Sequence, residues 1–285
     1  MAHLINGKEL SAVIRAEVAD EAAEFYKEQK RAPGLAVILV GSDPASRIYV
    51  RNKNKACEQC GIYSELIELP EETPQDELLA KIEELNGNDR IDGILVQLPL
   101  PSHMDQQAVI AAIDPSKDVD VFHPENVGKL TTGCPGLRPC TPSGILEMLR
   151  RSGIEISGKD CTVVGRSNIV GRPMALMLLH ENGTVTICHS KTKDLKKECL
   201  KADILIVAVG HPKLITADMV KEGAVVIDVG INRLEDGSLC GDVDFENVEK
   251  IASCISPVPG GVGPMTIAML MKNTLLAAQN RTKKD

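Results

Sequence analysis

The segment Val163-Val164-Gly165-Arg166-Ser167-Asn168-Ile169-Val170-Gly171-Arg172-Pro173 decides the fold. An apolar β-branched run ends at Gly165, a polar turn follows, Gly171 stands six residues on, and Pro173 falls where a helix begins. A strand passes into a helix around an anion in this way. Glycine lets the backbone come close to a ligand, and N–H groups at a helix start face its charge. The spacing is not the common G-x-G-x-x-G. Taken alone, the segment fits either a dinucleotide-binding turn or an ordinary strand-to-helix loop.

Outward from this turn, the order from Cys161 is strand, glycine turn, helix, strand, helix, strand. That is one mononucleotide-binding half of a doubly wound fold. Apolar runs of strand length recur along the whole chain, at 35–40, 65–69, 93–98, 162–164, 184–188, 204–209 and 225–229. Most are apolar on both faces, as strands of a covered parallel sheet should be. Helical periodicity fills 9–30, 45–60, 75–85, 143–151, 173–181 and 264–279. The expected class is α/β, with two α/β domains, the second a Rossmann-like doubly wound parallel sheet. The stretch Gly133–Pro142 is too rich in Pro and Gly to continue an element and marks the boundary. The expected domains are 1–140, with 265–285 packing back on it, and 141–264.

Bulk properties narrow the function. A chain of 285 residues suggests about two domains. Hydrophobic residues at 43% and charged residues at 25% describe an ordinary globular protein. The net charge of −8 argues against nucleic acid or an anionic membrane as the main partner. Aromatics at 2% leave no base-stacking platform. No apolar run approaches the roughly 18 residues of a membrane span. The N-terminus lacks the features of a signal or transit peptide. Nine scattered cysteines fit reduced thiols and a cytoplasmic location. Cys57-Glu58-Gln59-Cys60 has no second pair at metal spacing and reads as a coincidence on a helix face, so no metal site is expected.

The second strand of the nucleotide-binding half ends at Cys188-His189-Ser190-Lys191-Thr192. Ser190 lies 25 residues after Gly165, near where an NAD-binding fold places an acid for the ribose 2′-OH. No acid stands there, and Arg166 follows the first glycine. The absent carboxylate and the added donors suit a 2′-phosphate, hence NADP. Taken singly, Arg166 and Lys191 also fit solvated surface charges. Gly210 and Gly230 end two further strands; they suit close approach to the nicotinamide half or simple packing turns.

The first half holds candidate chemistry. Tyr49 and Lys53 are four apart in a helical pattern and share a face. The pair is similar to the Tyr-x-x-x-Lys of short-chain dehydrogenases, but there the glycine turn precedes it. A solvated helix start also fits. Gln97 is an amide near the end of the buried-type run Asp92–Leu98, and an uncharged polar group there is costly unless paired. Lys117-Asp118-Val119-Asp120-Val121 places two acids in a loop. Pro257-Val258-Pro259-Gly260-Gly261-Val262-Gly263-Pro264-Met265-Thr266 is a shaped, rigid loop suited to line a ligand, and Pro264 suits the first helical position.

Together these segments resemble the bifunctional methylenetetrahydrofolate dehydrogenase/methenyltetrahydrofolate cyclohydrolase family almost end to end. The match runs through Tyr49–Lys53, Val96–Pro101, Lys117–Asp120, Arg138–Pro142, Gly165–Pro173, Asp228–Asn232 and Pro257–Thr266. The resemblance implies a homodimer with a cleft between two domains. It implies oxidation of 5,10-methylenetetrahydrofolate with NADP⁺ and hydrolysis of the methenyl product to 10-formyltetrahydrofolate, within one-carbon metabolism and purine biosynthesis. By the same resemblance Tyr49 stacks on the folate, Lys53 handles protons, Gln97 orients Lys53, and Asp120 accepts from the pterin N–H groups. Val96, Leu98, Pro259, Gly260 and Gly261 line the folate. Gly165, Arg166, Ser167, Ile169, Val170, Gly171, His189, Ser190 and Ile231 hold the cofactor.

One position departs from the pattern. The family has Gly after the Asp of its Asp-Val-Asp, and this chain has Val121. If that position needs a positive φ, valine suits it poorly, and the placement of Asp120 is in question. Two rival readings are a dehydrogenase without cyclohydrolase activity and a silent nucleotide sensor. The presence of Lys53, Gln97 and the 257–266 loop argues against both.

Overall fold

The elements in chain order are β1 (His3–Leu4), α1 (Gly7–Gln29), β2 (Gly34–Val40), α2 (Pro44–Cys60), β3 (Tyr63–Leu69), α3 (Gln75–Asn86), β4 (Gly93–Val96), α4 (Gln106–Ala112), α5 (Pro124–Thr132), α6 (Cys140–Arg151), β5 (Asp160–Val164), α7 (Gly171–His180), β6 (Thr184–Cys188), α8 (Leu195–Cys199), β7 (Ile204–Val207), β8 (Val225–Asp228), β9 (Asn232–Arg233), β10 (Leu239–Cys240), α9 (Phe245–Val248), β11 (Cys254–Ile255) and α10 (Val262–Thr282). This computed structural model describes residues 1–283; Lys284 and Asp285, which close the basic tail and the expected C-terminal segment, lie outside the described residues.

The chain forms two units. The first comprises Met1–Ser11 and Thr141–Thr266. Its sheet has the order β1-β11-β8-β7-β5-β6, with every neighbouring pair parallel. The chain leaves β5 outward to β6 and then returns to β7 on the other side. The carboxyl end of β5 is therefore a topological switch point, where such sheets bind ligands. Val164, Leu205, Val207, Val226 and Ile255 fill one core cluster of this unit. His3–Leu4 pairs with β11, so residues 1–11 group with this unit and not with 12–140. Ile5 is 1% exposed, and its N–H donates to Ile255 O at 2.9 Å. A two-residue strand has no periodicity from which to read its partner.

The second unit holds Ala12–Cys140 and the C-terminal segment from Ile267. Its parallel sheet is β3-β2-β4. Every residue of β2 is buried, as a central strand covered on both faces demands. Ala36, Ile38 and Val40 pack on Leu78, Ile82 and Leu85 of α3, each large apolar side chain contributing about 1.5–3 kcal/mol. α3 ends on Lys117, which is 2% exposed and donates to the carbonyls of Leu85, Asn86 and Asn88 at 2.7–2.9 Å. A cation on helix-terminal carbonyls is favourable, but burial still lowers the lysine pKa to about 8.

Boundaries shift where sequence signals compete. The helix expected at 143–151 starts at Cys140, so Pro142 lies in its first turn, where no N–H is needed. α7 and α10 likewise begin two residues before Pro173 and Pro264.

Candidate active site

Lys53 lies in α2. Pro44 starts this helix, Asp43 caps it through Ser46 N at 2.7 Å, and Gly61 closes it in the left-handed conformation. The helical spacing sets Tyr49 one turn before Lys53, half-buried, with its hydroxyl pKa raised by burial. Lys53 is 8% exposed, so it is not the solvated helix start that the charges around it suggest. Its Nζ donates to Gln97 Oε1 at 3.0 Å, and Gln97 Nε2 donates to Leu98 O at 2.7 Å. The amide thus has its oxygen committed to the amine. Gln97 follows β4 directly, with its own N–H on Ile38 O of the central strand. Val96 is buried and Leu98 half-buried beside it.

Burial lowers the Lys53 pKa; the Asp120 charge opposes that shift. Burial also raises the Asp120 pKa, and Lys53 opposes it in turn. Both groups are pushed toward neutrality by loss of water and held toward charge by each other.

The loop holding Asp120 is tightly anchored. Val121 has φ 65°, so valine occupies the left-handed region. The Asp118 carboxylate accepts from the N–H groups of Val121, Phe122 and His123 at 2.9–3.3 Å, and from Asn126 Nδ2 at 2.9 Å. From α10, buried Asn273 Nδ2 donates to Val119 O and Arg138 O, both at 2.8 Å. Neither anchor is evident from a site motif. For Asn273 the signal was present: a lone amide on the apolar face of a long helix must have partners. Cys140 is buried beside this centre, its thiol held well above its ordinary pKa first by burial and then by Asp120.

Cys57 and Cys60 are both buried, and burial raises their pKa values to about 12 and about 11. Thiols so hard to ionise are poor nucleophiles and poor redox groups. Among the described residues, no group of three or more His, Cys, Asp or Glu is placed to hold a metal.

The glycine turn opens at the switch point. Gly165 has φ 130°, and a Cβ there would lie 2.2 Å from Ala208 O. A Cβ on Gly171 would lie 2.2 Å from Gly165 O. Only glycine permits this backbone. Ser167 Oγ accepts from Val170 N and Gly171 N at 3.2 and 3.3 Å, so two N–H groups of the helix start are partly engaged within the turn. Arg166 and Ser190 are exposed, and His189 is half-buried with Nδ1 accepting from Lys191 N at 3.1 Å. Ile169 and Ile231 are 40% and 45% exposed, an apolar pair beyond the ends of β5 and β8. In the 257–266 loop, Pro259 is exposed, Gly260 has φ 106°, and Gly261 is buried with its O 1.8 Å from where a Gly7 Cβ would stand. That loop is therefore packed on the start of α1.

A switch-point turn built by glycines suits a nucleotide, and a desolvated amine beside a carboxylate suits proton transfer. The two define a nucleotide-dependent enzyme with acid–base chemistry. The chain belongs to the tetrahydrofolate dehydrogenase/cyclohydrolase family: residues 5–120 match its catalytic domain and residues 139–282 its NAD(P)-binding domain. It acts on tetrahydrofolate derivatives as both an oxidoreductase and a hydrolase. It is 59% identical over 282 residues to the bifunctional protein FolD of Acetivibrio thermocellus, covering 99% of each chain. Its structure is similar to that of the bifunctional FolD enzyme of Campylobacter jejuni, with TM-score 0.96, 54% identity and 99% and 100% of the two chains covered. The Trypanosoma brucei methylenetetrahydrofolate dehydrogenase-cyclohydrolase, complexed with NADP and an inhibitor, superposes with TM-score 0.95 at 40% identity, covering 100% and 99%.

Proposed function

We propose that this chain oxidises 5,10-methylenetetrahydrofolate with NADP⁺ and hydrolyses the methenyl product to 10-formyltetrahydrofolate, with Lys53 as the proton-handling group. The carrying observation is the Lys53 amine, buried and hydrogen-bonded to Gln97 at 3.0 Å, with its pKa lowered by burial.

The residues fit a bound dinucleotide phosphate. Gly165 and Gly171 permit a tight turn whose backbone would clash with any Cβ, Arg166 and Ser190 are exposed donors, and no acid ends β6 to repel a 2′-phosphate. In this reading Gly165, Ser167, Val170 and Gly171 shape the turn, while Ile169 and Ile231 offer apolar faces to flat rings. His189 and Ser190 flank the 2′-phosphate with Arg166. When bound, the nicotinamide accepts the hydride.

Tyr49 stacks on the folate, and Val96, Leu98, Pro259, Gly260 and Gly261 border it. The Asp120 carboxylate accepts hydrogen bonds from the pterin N–H groups. For hydrolysis, Lys53 in its neutral form takes a proton from water as the oxygen adds to the methenyl carbon. The resulting ammonium returns a proton to N5 as the carbon–N5 bond breaks. The formyl group stays on N10 and one proton is released. Gln97, an acceptor without charge, keeps the amine aimed without raising its basicity as a carboxylate would.

The finer setting is also proposed: a cytoplasmic homodimer supplying formyl groups to purine biosynthesis. All nine cysteines are free thiols, and no described helix is long and apolar enough to cross a membrane. Ile187 on edge strand β6 is 42% exposed and Leu179 54%, an apolar margin suited to a second copy.

The test supplies methylenetetrahydrofolate with NADP⁺ or NAD⁺ and follows reduced nucleotide and methenyl absorbance. The expected result is nucleotide reduction, faster with NADP⁺, and a methenyl signal that rises and decays. Reduction by neither nucleotide removes the reading; faster reduction with NAD⁺ removes the role given to Arg166 and Ser190.

A further inference from the structure

Asp242 is fully buried, and among the described residues no cation pairs with it. Its charge is met instead by four N–H groups. Oδ2 accepts from Val209 N at 2.7 Å and Gly210 N at 2.9 Å. Oδ1 accepts from His211 N at 2.9 Å and Asn232 Nδ2 at 2.8 Å. These donors come from the loop leaving β7 and from the start of β9. The backbone between β8 and β9 presses on the carboxylate: a Cβ at Gly230 would stand 2.3 Å from Asp242 Cγ. Behind it, the buried Asp228 carboxylate accepts from the N–H groups of Gly230, Asp242 and Val243 at 2.9–3.0 Å.

A carboxylate is an acceptor only, so it alone matches four converging donors. An isosteric amide turns one edge into a donor and faces N–H with N–H. The cost of one buried unsatisfied donor is large compared with the energy of most single contacts. The described chemistry uses neither aspartate.

We propose that Asp242 is a positioning residue of the dehydrogenase: it locks the 208–211 and 230–232 loops into one shape and thereby sets NADP⁺ affinity, leaving hydrolysis untouched. This rests on the reading that those loops border the cofactor. Asp228 supports it from behind by fixing the peptide that bears Asp242.

The test measures NADP⁺ binding, the dehydrogenase KM for NADP⁺, and hydrolysis of supplied methenyltetrahydrofolate. Asp242→Asn should weaken NADP⁺ binding and raise its KM by about 10- to 100-fold, with hydrolysis within about twofold of the parent. Adding Asn232→Asp restores a donor–acceptor pair between positions 232 and 242 and should recover part of the affinity. If Asp242→Asn fails to fold, Asn232→Ala, which removes one bond of the four, must show the same split at about threefold. Unchanged NADP⁺ affinity, or equal loss of both activities, overturns the proposal. Gly165→Ala is the control on the cofactor site: if it too leaves NADP⁺ affinity unchanged, the reading of that site fails as well.

Discussion

The lysine centre and the glycine turn reach function by opposite means. At the first, side chains act: burial and mutual charge set the protonation of Lys53 and Asp120, and Gln97 accepts from the amine. At the second, the backbone acts: Gly165 and Gly171 are needed for what they lack, while Arg166, Ser167 and Ser190 are exposed. One site should therefore break when a functional atom is removed, the other when an inert atom is added.

The largest effects test this contrast directly. Lys53→Met keeps the length and apolar stem but removes the amine. Hydrolysis of supplied methenyltetrahydrofolate should fall at least about a thousandfold, the scale of a lost acid–base group, while NADP⁺ still binds in a fluorescence titration. Gly165→Ala adds one methyl where Ala208 O lies 2.2 Å from its ideal position. Oxidation should fall by about a hundredfold or more, equivalent to about 3 kcal/mol, while hydrolysis persists. If both variants lose both activities together, the two sites do not divide the chemistry as described.

A smaller effect sharpens the electrostatics of the lysine centre. The Asp120 charge raises the Lys53 pKa against burial. Removing it with Asp120→Asn should lower that pKa further. The neutral amine then becomes available at lower pH, so the ascending acid-side limb of the hydrolysis kcat/KM profile should move to lower pH. In the proposed role of Asp120 as acceptor for the pterin N–H groups, folate KM should rise too. An upward shift of the limb would show that Asp120 does not act on Lys53 through its charge.

The unequal legibility of the two regions has a physical cause. The glycine turn announces itself because close backbone approach and positive φ allow few residues, so Gly165, Gly171 and the flanking β-branched run are readable as a string. Tyr49 and Lys53 show their common face through helical spacing, and Gln97 stands out as an amide in an apolar strand. What the string conceals is long-range pairing. Asn273 reaches Val119 across 154 residues, and Asp242 gathers donors from 10 to 33 residues away. β1 finds β11 some 250 residues on (His3 pairs with Cys254). Local rules say that a buried polar group needs a partner, not which partner it has.

Val121 yields the smallest expected effect and the finest test. Its left-handed backbone costs about 1–2 kcal/mol for a residue with a Cβ, but its side chain is 1% exposed and contributes about 1.5–3 kcal/mol by burial. Glycine also enlarges the freedom of the unfolded chain, at about 0.5–1 kcal/mol. Val121→Gly should thus be destabilising by about 1 kcal/mol in chemical denaturation, burial and chain entropy together outweighing the relieved strain. Activity should stay within about twofold, because Asp118 and Asn273, not the side chain at 121, hold the loop. A stabilised variant would show that strain dominates at this position. A variant of unchanged stability but tenfold lower activity would show that the valine itself aims Asp120, and the lysine centre would then depend on backbone shape as the glycine turn does.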